Sequence, residues 1–81
     1  MKLNETSDMM NSNNYKERFQ AEYYQLKIRL DGLNSMLDRW DKGELNFNPI
    51  CPKSLLESQS KIMEKYVEIL EARAKLERVG L

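Results

Sequence analysis

A run of apolar residues spaced alternately four and three positions apart constrains this chain more than any other feature. Its members are Phe19, Tyr23, Leu26, Leu30, Leu33, Leu37 and Trp40. This spacing keeps one side of an α-helix apolar over several turns, which is typical of a helix that packs lengthwise on another helix. Asn14 and Glu17 resemble a capping box, and Lys42 precedes a glycine, so we predict a helix over about residues 14–42. Gly32 lies inside it, where a missing side chain would allow another helix to approach closely.

A loop with two prolines follows this helix. Residues 44–52 read ELNFNPICP, and a proline disfavours helical angles in the residue before it. We therefore expect a turn here, with the apolar side chains of Phe47 and Ile50 closing that end of the fold.

A second helix is predicted over about residues 53–79. Ser54 and Glu57 resemble another capping box, and Gly80 is a helix-ending residue. The apolar positions of this segment are Leu55, Leu56, Ile62, Met63, Tyr66, Ile69, Leu70 and Leu76. Because this face is wider than packing on one helix requires, we expect it to contact more than one neighbour.

The predicted fold class is all-α: an antiparallel two-helix hairpin formed by residues 13–81, preceded by a polar N-terminal arm over residues 1–12. Two helices in a chain of 81 residues cannot surround a core with their own surface. We therefore expect homo-oligomerisation to complete the core, with a second copy of the chain as the first partner.

Composition argues against several classes of function. Lys and Arg number 13, as do Asp and Glu, so no excess positive charge is available for duplex nucleic acid. The chain has no His and a single Cys, which predicts neither a zinc site nor an internal disulfide and is typical of a reducing cytosol. No stretch is apolar enough for a signal peptide or a membrane span. We expect a cytoplasmic protein without a cofactor, and no enzyme, because a histidine base, an activated nucleophile and a phosphate-binding glycine loop are all missing.

Three side chains interrupt the apolar face of the second helix at intervals of seven residues: Gln59, Tyr66 and Arg73. Seven residues nearly complete two turns, so these side chains share one side of the helix. Three interpretations remain open. These side chains fix the register and the subunit number of an oligomer, as single polar residues do in coiled coils, they bind a ligand between subunits, or they are exposed without a role.

Under the ligand interpretation, aromatic and basic residues near the start of the first helix belong to the same site. Arg73 and Arg18 would contact phosphates, and Tyr66, Tyr24 or Tyr15 would stack on bases. Tyr24 lies off the main apolar run, however, so a contact between subunits explains it as well.

Parts of the sequence resemble a known family. The segments are YKERFQAEYYQLKIRLDGLNSML, CPKSLL and ESQSKIMEKYVEILEARAKLE, and together they are similar to small crAss-phage-related helical hairpin proteins of bacteriophages and prophages. The more specific positions are Leu56, Gln59, Met63, Tyr66, Leu70 and Arg73. A looser similarity, carried by Gln59, Met63, Arg73 and Ala74, links the second helix to the hairpin of phage anti-CBASS sponges, which assemble into oligomers and sequester cyclic oligonucleotides.

The resemblance implies a phage-encoded, non-catalytic sponge that sequesters a nucleotide immune signal, either a cyclic oligonucleotide or a cyclic ADP-ribose. It implies ligand roles for Gln59 and Arg73, and more remotely for Tyr15 and Arg18. The alternative is a helical interaction module that docks on a host or phage protein through residues off the main apolar run, namely Tyr24, Ile28 and Met36. A purely structural oligomer is the third hypothesis.

Overall fold

The computed structural model describes residues 1–81, and all of its regular structure is helical. A short 3-10 helix, η1 (Leu3–Thr6), leads directly into a one-turn α-helix, α1 (Ser7–Met10). Two long helices follow, α2 (Tyr15–Asp41) and α3 (Lys53–Glu77). The all-α prediction is confirmed, but the structure has one α-helix more than the two predicted.

The ends of α2 follow the capping signals of the sequence. The side-chain oxygen of Asn14 accepts a hydrogen bond from the backbone N–H of Lys16 at 2.9 Å, which satisfies one of the free donors of the first turn. Beyond the last turn, Gly43 has a φ of 70°, an angle that favours glycine. Gly32 does not serve a close helix contact as expected, since a Cβ there would meet nothing within 4 Å.

Helix α3 begins at residue 53, as predicted, but its N-terminal capping and its C-terminal end differ from the prediction. Pro52 precedes the first residue of the helix, and no side chain caps this end, so the expected Ser54–Glu57 capping box does not form. At the other end Arg78 takes the left-handed conformation with a φ of 58°. The helix therefore ends before Gly80, because the chain must turn at Arg78 to bring the side chain of Val79 into the core, where it is 7% exposed.

Helices α2 and α3 pack against each other in antiparallel orientation. Cross-helix contacts at the two ends and in the middle join Lys53 to Asp41, Ser60 to Asn34 and Tyr15 to Glu77. The core between the helices consists of Phe19, Leu26, Leu30, Val67, Leu70, Ala74 and Val79. Leu70 is its centre, with no exposed surface, and its burial contributes about 1.5–3 kcal/mol to folding.

The N-terminal segment lies against α2. Both η1 and α1 contact α2, where Ala21 has an exposed fraction of 0%. Thr6 is 1% exposed, and its hydroxyl donates a hydrogen bond to the carbonyl of Leu3 at 2.7 Å. The side-chain amide of Gln25 on α2 bonds to the sulfur of Met10 at 2.8 Å.

The loop between α2 and α3 leaves its apolar side chains in solvent. Phe47 is 50% exposed and Ile50 is fully exposed at 102%, so the prediction that these residues close the end of the fold is wrong. Cys51 beside them is also exposed.

None of the helices combines the length and the apolar character that a membrane crossing requires.

Candidate functional site

A polar network lies where the start of α2 meets the end of α3. The hydroxyl of Tyr15 donates a hydrogen bond to Glu77 Oε1 at 2.5 Å. Arg73 donates from Nη2 to the Tyr15 hydroxyl and from Nε to Glu77 Oε2, each at 3.1 Å. Arg73 and Glu77 are four residues apart on α3 and so share one side of the helix. The three side chains therefore form a closed triangle that joins the two long helices.

An aromatic ring lies beside the guanidinium group of Arg73, and another lies beside that of the neighbouring Arg18. The Cζ atom of Arg73 lies 4.9 Å from the ring centroid of Phe19. Arg18, one turn along α2, lies 6.0 Å from the ring of Tyr15, and it donates a hydrogen bond to the carbonyl of Ser12 at 2.9 Å. Both distances are within the range at which a cation is attracted to an aromatic face.

Ionisation in this network is linked to its hydrogen bonds. The hydroxyl of Tyr15, with a further contribution from Arg73, lowers the pKa of the Glu77 carboxyl. The same contact with Glu77 raises the pKa of Tyr15. At neutral pH Glu77 is therefore a carboxylate, Tyr15 keeps its proton, and Arg73 is a guanidinium cation.

Tyr66 continues the network towards the middle of α3. Its hydroxyl bonds to the carboxylate of Glu22 on α2, and this hydrogen bond, with desolvation, raises the pKa of Tyr66. Tyr66 is 40% exposed, so it borders solvent and is not buried. Four of the predicted site residues, Tyr15, Arg18, Tyr66 and Arg73, thus lie along one side of the α2–α3 junction.

The other two predicted site residues are not part of this group. Gln59 follows the same side of α3 but is one heptad before Tyr66, which is about 10 Å along the axis, and it is exposed. Tyr24 makes an edge contact with Tyr23, with ring centroids 5.6 Å apart. It lies nine residues after Tyr15, which at 3.6 residues per turn places the two on opposite sides of α2.

A recess of about 450 Å³ lies elsewhere on the α2–α3 junction, and it is lined by Tyr23, Glu71, Ala74, Lys75, Val79 and Leu81. Tyr23 donates a hydrogen bond to Glu71 Oε2 at 2.8 Å. Burial and this carboxylate raise the pKa of Tyr23 to about 12. Glu71 and Arg73 are two residues apart and therefore face nearly opposite sides of α3, so this recess is separate from the Arg73 network.

Sequence reasoning missed two carboxylates of the site. Glu77 had a readable signal, since residues four positions apart are neighbours on a helix and an acidic residue there can pair with Arg73. Glu22 had none, because its contact with Tyr66 depends on how α2 and α3 align in space.

The arrangement offers groups that can bind an anion. An arginine side chain carries five N–H donors in a planar fork suited to phosphate or carboxylate. Two of them on Arg73 are used within the chain, so the others are available to a ligand. The structure contains no group of three or more His, Cys, Asp or Glu side chains placed to hold a metal ion.

The fold and the site together define a small all-α protein with a solvent-open arginine–tyrosine–carboxylate network between its two long helices. Within this class the chain belongs to the Sequestin family, whose family model, described as Sequestin, matches residues 13–76. The family name suggests sequestration of a molecule, and thus binding and not catalysis. No curated protein and no solved structure matches the chain.

Proposed function

We propose that this protein is a phage-encoded sponge that binds a nucleotide immune signal without cleaving it and so counters bacterial anti-phage defence. The signal is a cyclic oligonucleotide or a cyclic ADP-ribose. The observation that carries the proposal is the Arg73 network, in which a guanidinium fork is held beside the rings of Tyr15 and Phe19. Such a fork contacts a phosphate while exposed tyrosine rings stack on a base. Membership in the Sequestin family supports sequestration.

Isothermal titration tests this function directly. We expect stoichiometric binding of at least one member of a panel of cyclic dinucleotides, cyclic trinucleotides and cyclic ADP-ribose isomers. The ligand should be recovered chemically intact after the protein is denatured, because the protein acts by holding it. Absence of binding heat with every member of the panel at micromolar protein contradicts the proposal, and recovery of a cleaved product contradicts the non-catalytic part.

One observation favours a second candidate function, a module that docks on a host or phage protein. Phe47 and Ile50 form an exposed apolar surface with Met36 and Leu56 at the loop end of the fold. Exposed apolar patches of this kind are typical of protein-binding surfaces. Capture of a stoichiometric host protein that is lost in an Ile50→Glu variant would support this function, whereas the nucleotide sponge predicts that Ile50→Glu leaves ligand binding unchanged.

A further inference from the structure

Helix α3 carries a second row of residues with alternating spacings of four and three. Its members are Leu55, Gln59, Ile62, Tyr66, Ile69, Arg73 and Leu76. The four aliphatic members are all exposed, with exposed fractions of 59% for Leu55, 70% for Ile62, 49% for Ile69 and 85% for Leu76. We call this row the outer seam of α3. It extends over about 32 Å of helix, which is three heptads of a coiled-coil contact surface.

The outer seam is distinct from the row of α3 that packs on α2. That inner row consists of Ser60, Met63, Val67, Leu70 and Ala74. The two rows are offset by one position, which is about 100° around the helix axis. Both η1 and α1 pack on α2 and make no contact with α3. Tyr66 and Arg73 of the outer seam bond to α2, but the four aliphatic residues remain exposed.

We propose that the outer seam pairs in antiparallel orientation with the outer seam of a second copy of this chain. Knobs-into-holes packing requires holes formed by residues at positions i, i+3, i+4 and i+7 of the facing helix. A shallow recess of about 380 Å³ is already present at Leu55, Ser58, Gln59 and Ile62, with Met63 beside it, and these four positions have that spacing. The most exposed aliphatic residue of the outer seam, Leu76, supplies the matching knob from the partner subunit.

The position of the partner's Leu76 fixes the register of the two paired α3 helices. When Leu76 of the partner subunit lies opposite Gln59, the partner's Ile69 lies opposite Tyr66, and the partner's Ile62 lies opposite Arg73. Each polar position of the outer seam then faces an aliphatic one. A parallel pair would instead place Arg73 against its own copy, where two like charges repel.

Charge complementarity favours the same orientation. On α2, Tyr15 lies beside Arg73 of α3, and Glu22, seven residues later, lies beside Tyr66, which is seven residues before Arg73. A further step of seven residues along both helices places Arg29 at the level of Gln59. Arg29 is exposed and makes no ion pair or hydrogen bond within the chain. Antiparallel pairing places the two α2 helices on the same side of the interface and brings the partner's Arg29 to the Glu77 end of the network.

The pairing completes the site of the proposed function, on which this step depends. Within one copy the charge of Arg73 is balanced by Glu77. Arg29 of the partner subunit adds a second guanidinium beside it, so the shared site suits a ligand with two phosphate groups, and each pair of subunits contains two such sites. This is the charge pattern of a cyclic dinucleotide or of a cyclic ADP-ribose, each of which carries two phosphates.

Light scattering coupled to size exclusion tests the interface without any ligand. We expect the wild-type chain to elute as a dimer or a multiple of one at micromolar concentration, and Ile62→Glu to elute with half that mass. Because Ile62 is 70% exposed, the variant should keep its helical circular dichroism. Ile50→Glu is the matched control: it makes the same change at an exposed isoleucine outside the outer seam, and it should keep the wild-type mass. A monomeric wild type, or an Ile62→Glu variant of unchanged mass, overturns the proposal.

Disulfide cross-linking tests the orientation. In a Cys51→Ser background, Leu76→Cys should cross-link with Gln59→Cys when the two single variants are mixed and refolded together. Neither variant should cross-link with itself. Self-cross-linking of Leu76→Cys indicates a parallel pair and overturns the antiparallel register.

Titration with the cyclic dinucleotide and cyclic ADP-ribose panel then separates the two proposals. Arg29→Ala should keep the dimer mass and weaken the affinity for the bound panel member by about tenfold or more. A dimer that binds no panel member contradicts the proposed function and leaves the interface standing. Unchanged affinity in Arg29→Ala overturns the shared site, even where the dimer and the binding are both observed.

Discussion

Arg73 is the side chain on which the proposed binding depends most directly. It is positioned by Glu77 and Tyr15 and lies on the face of the Phe19 ring. A guanidinium held in this way binds a phosphate without losing much further side-chain freedom, which is why arginine is preferred to lysine at such sites.

We expect Arg73→Ala to weaken binding of the cyclic nucleotide by about 1.5–3 kcal/mol, roughly tenfold to a hundredfold, since it removes charged hydrogen bonds. Arg73→Lys should recover only part of the loss, because an ammonium lacks the planar fork. Arg39→Ala provides the control, as Arg39 is an exposed arginine in the last turn of α2. Equal affinities of the Arg73→Ala and wild-type proteins in isothermal titration would exclude Arg73 from the site.

Because of Tyr23, the stability of the folded protein should fall as the pH rises in the alkaline range. Burial, with the carboxylate of Glu71, raises the pKa of Tyr23 from 10.0 to about 12 in the folded protein. An unfolded tyrosine loses its proton near pH 10, so the folded state keeps the proton over a range in which the unfolded state does not. The contribution of Tyr23 to stability is complete below about pH 10 and is lost as the pH rises through about 12.

Urea denaturation at a series of pH values measures this effect. The free energy of unfolding should fall between about pH 10 and about pH 12, and the fall should be smaller in Tyr23→Phe. Tyr24→Phe changes the neighbouring tyrosine, whose hydroxyl makes no hydrogen bond, and should leave the profile close to that of the wild type. Identical profiles for Tyr23→Phe and the wild type would contradict the assignment.

At the scale of the element, α2 is a helix whose interior glycine has no packing role. A Cβ at Gly32 meets nothing within 4 Å, so Gly32→Ala removes backbone freedom from the unfolded chain without a clash. We expect the free energy of unfolding to rise by about 0.5–1 kcal/mol. Gly43→Ala makes the same change at a φ of 70° and should destabilise the protein. Chemical denaturation monitored by circular dichroism compares the two, and destabilisation by Gly32→Ala would indicate a helix contact at that position.

Some helix ends follow from the residues next to them, and others depend on packing. The bounds of α2 fall within one residue of the prediction, because the signals at its ends act locally: the side-chain oxygen of Asn14 caps the first turn, and Gly43 takes a positive φ just beyond the last turn. The end of α3 was misplaced, since Arg78 adopts the left-handed angle that local preference assigns to glycine. Tertiary packing of Val79 outweighs that preference, and no local pattern records it.

The candidate site was predictable only in part, because packing between helices is not recorded in local sequence. Arg73 and Tyr66 share a side of α3 through helix geometry alone, and the first turns of α2 gather Tyr15 and Arg18. Tyr24 could have been separated from Tyr15 by counting residues around the helix. The pairing of Tyr66 with Glu22, in contrast, depends on the alignment of two helices that no spacing within either one specifies.

At the scale of the whole molecule, the N-terminal segment is a third packing layer on α2. Its two turns are too short to produce a periodic pattern, which is why the sequence indicated only a polar arm over residues 1–12. In the fold its residue Thr6 is buried, and the carbonyl of Ser12 accepts a hydrogen bond from Arg18.

We expect removal of residues 1–12 to lower the thermal unfolding midpoint by several degrees, since a loss of about 1 kcal/mol shifts the midpoint of a domain of this size by about 4–8 °C. Removal of Met1 and Lys2 alone, which are exposed, should have little effect. Differential scanning calorimetry compares the three proteins. An unchanged midpoint after removal of residues 1–12 would indicate that the segment contributes nothing to folding.

The two adjacent rows of α3 create a rotational ambiguity that the molecule must resolve. Since both rows are rich in aliphatic side chains, hydrophobic burial alone discriminates weakly between a helix seated on one row and the same helix turned by about 100°. Directional bonds favour the observed orientation, because the hydrogen bonds of Ser60 with Asn34, Tyr66 with Glu22 and Arg73 with Tyr15 join the two helices at this angle. The polar side chains thus help to fix the rotation of α3 about its own axis. Loss of their hydrogen bonds should yield a mixture of helix orientations before it yields an unfolded chain.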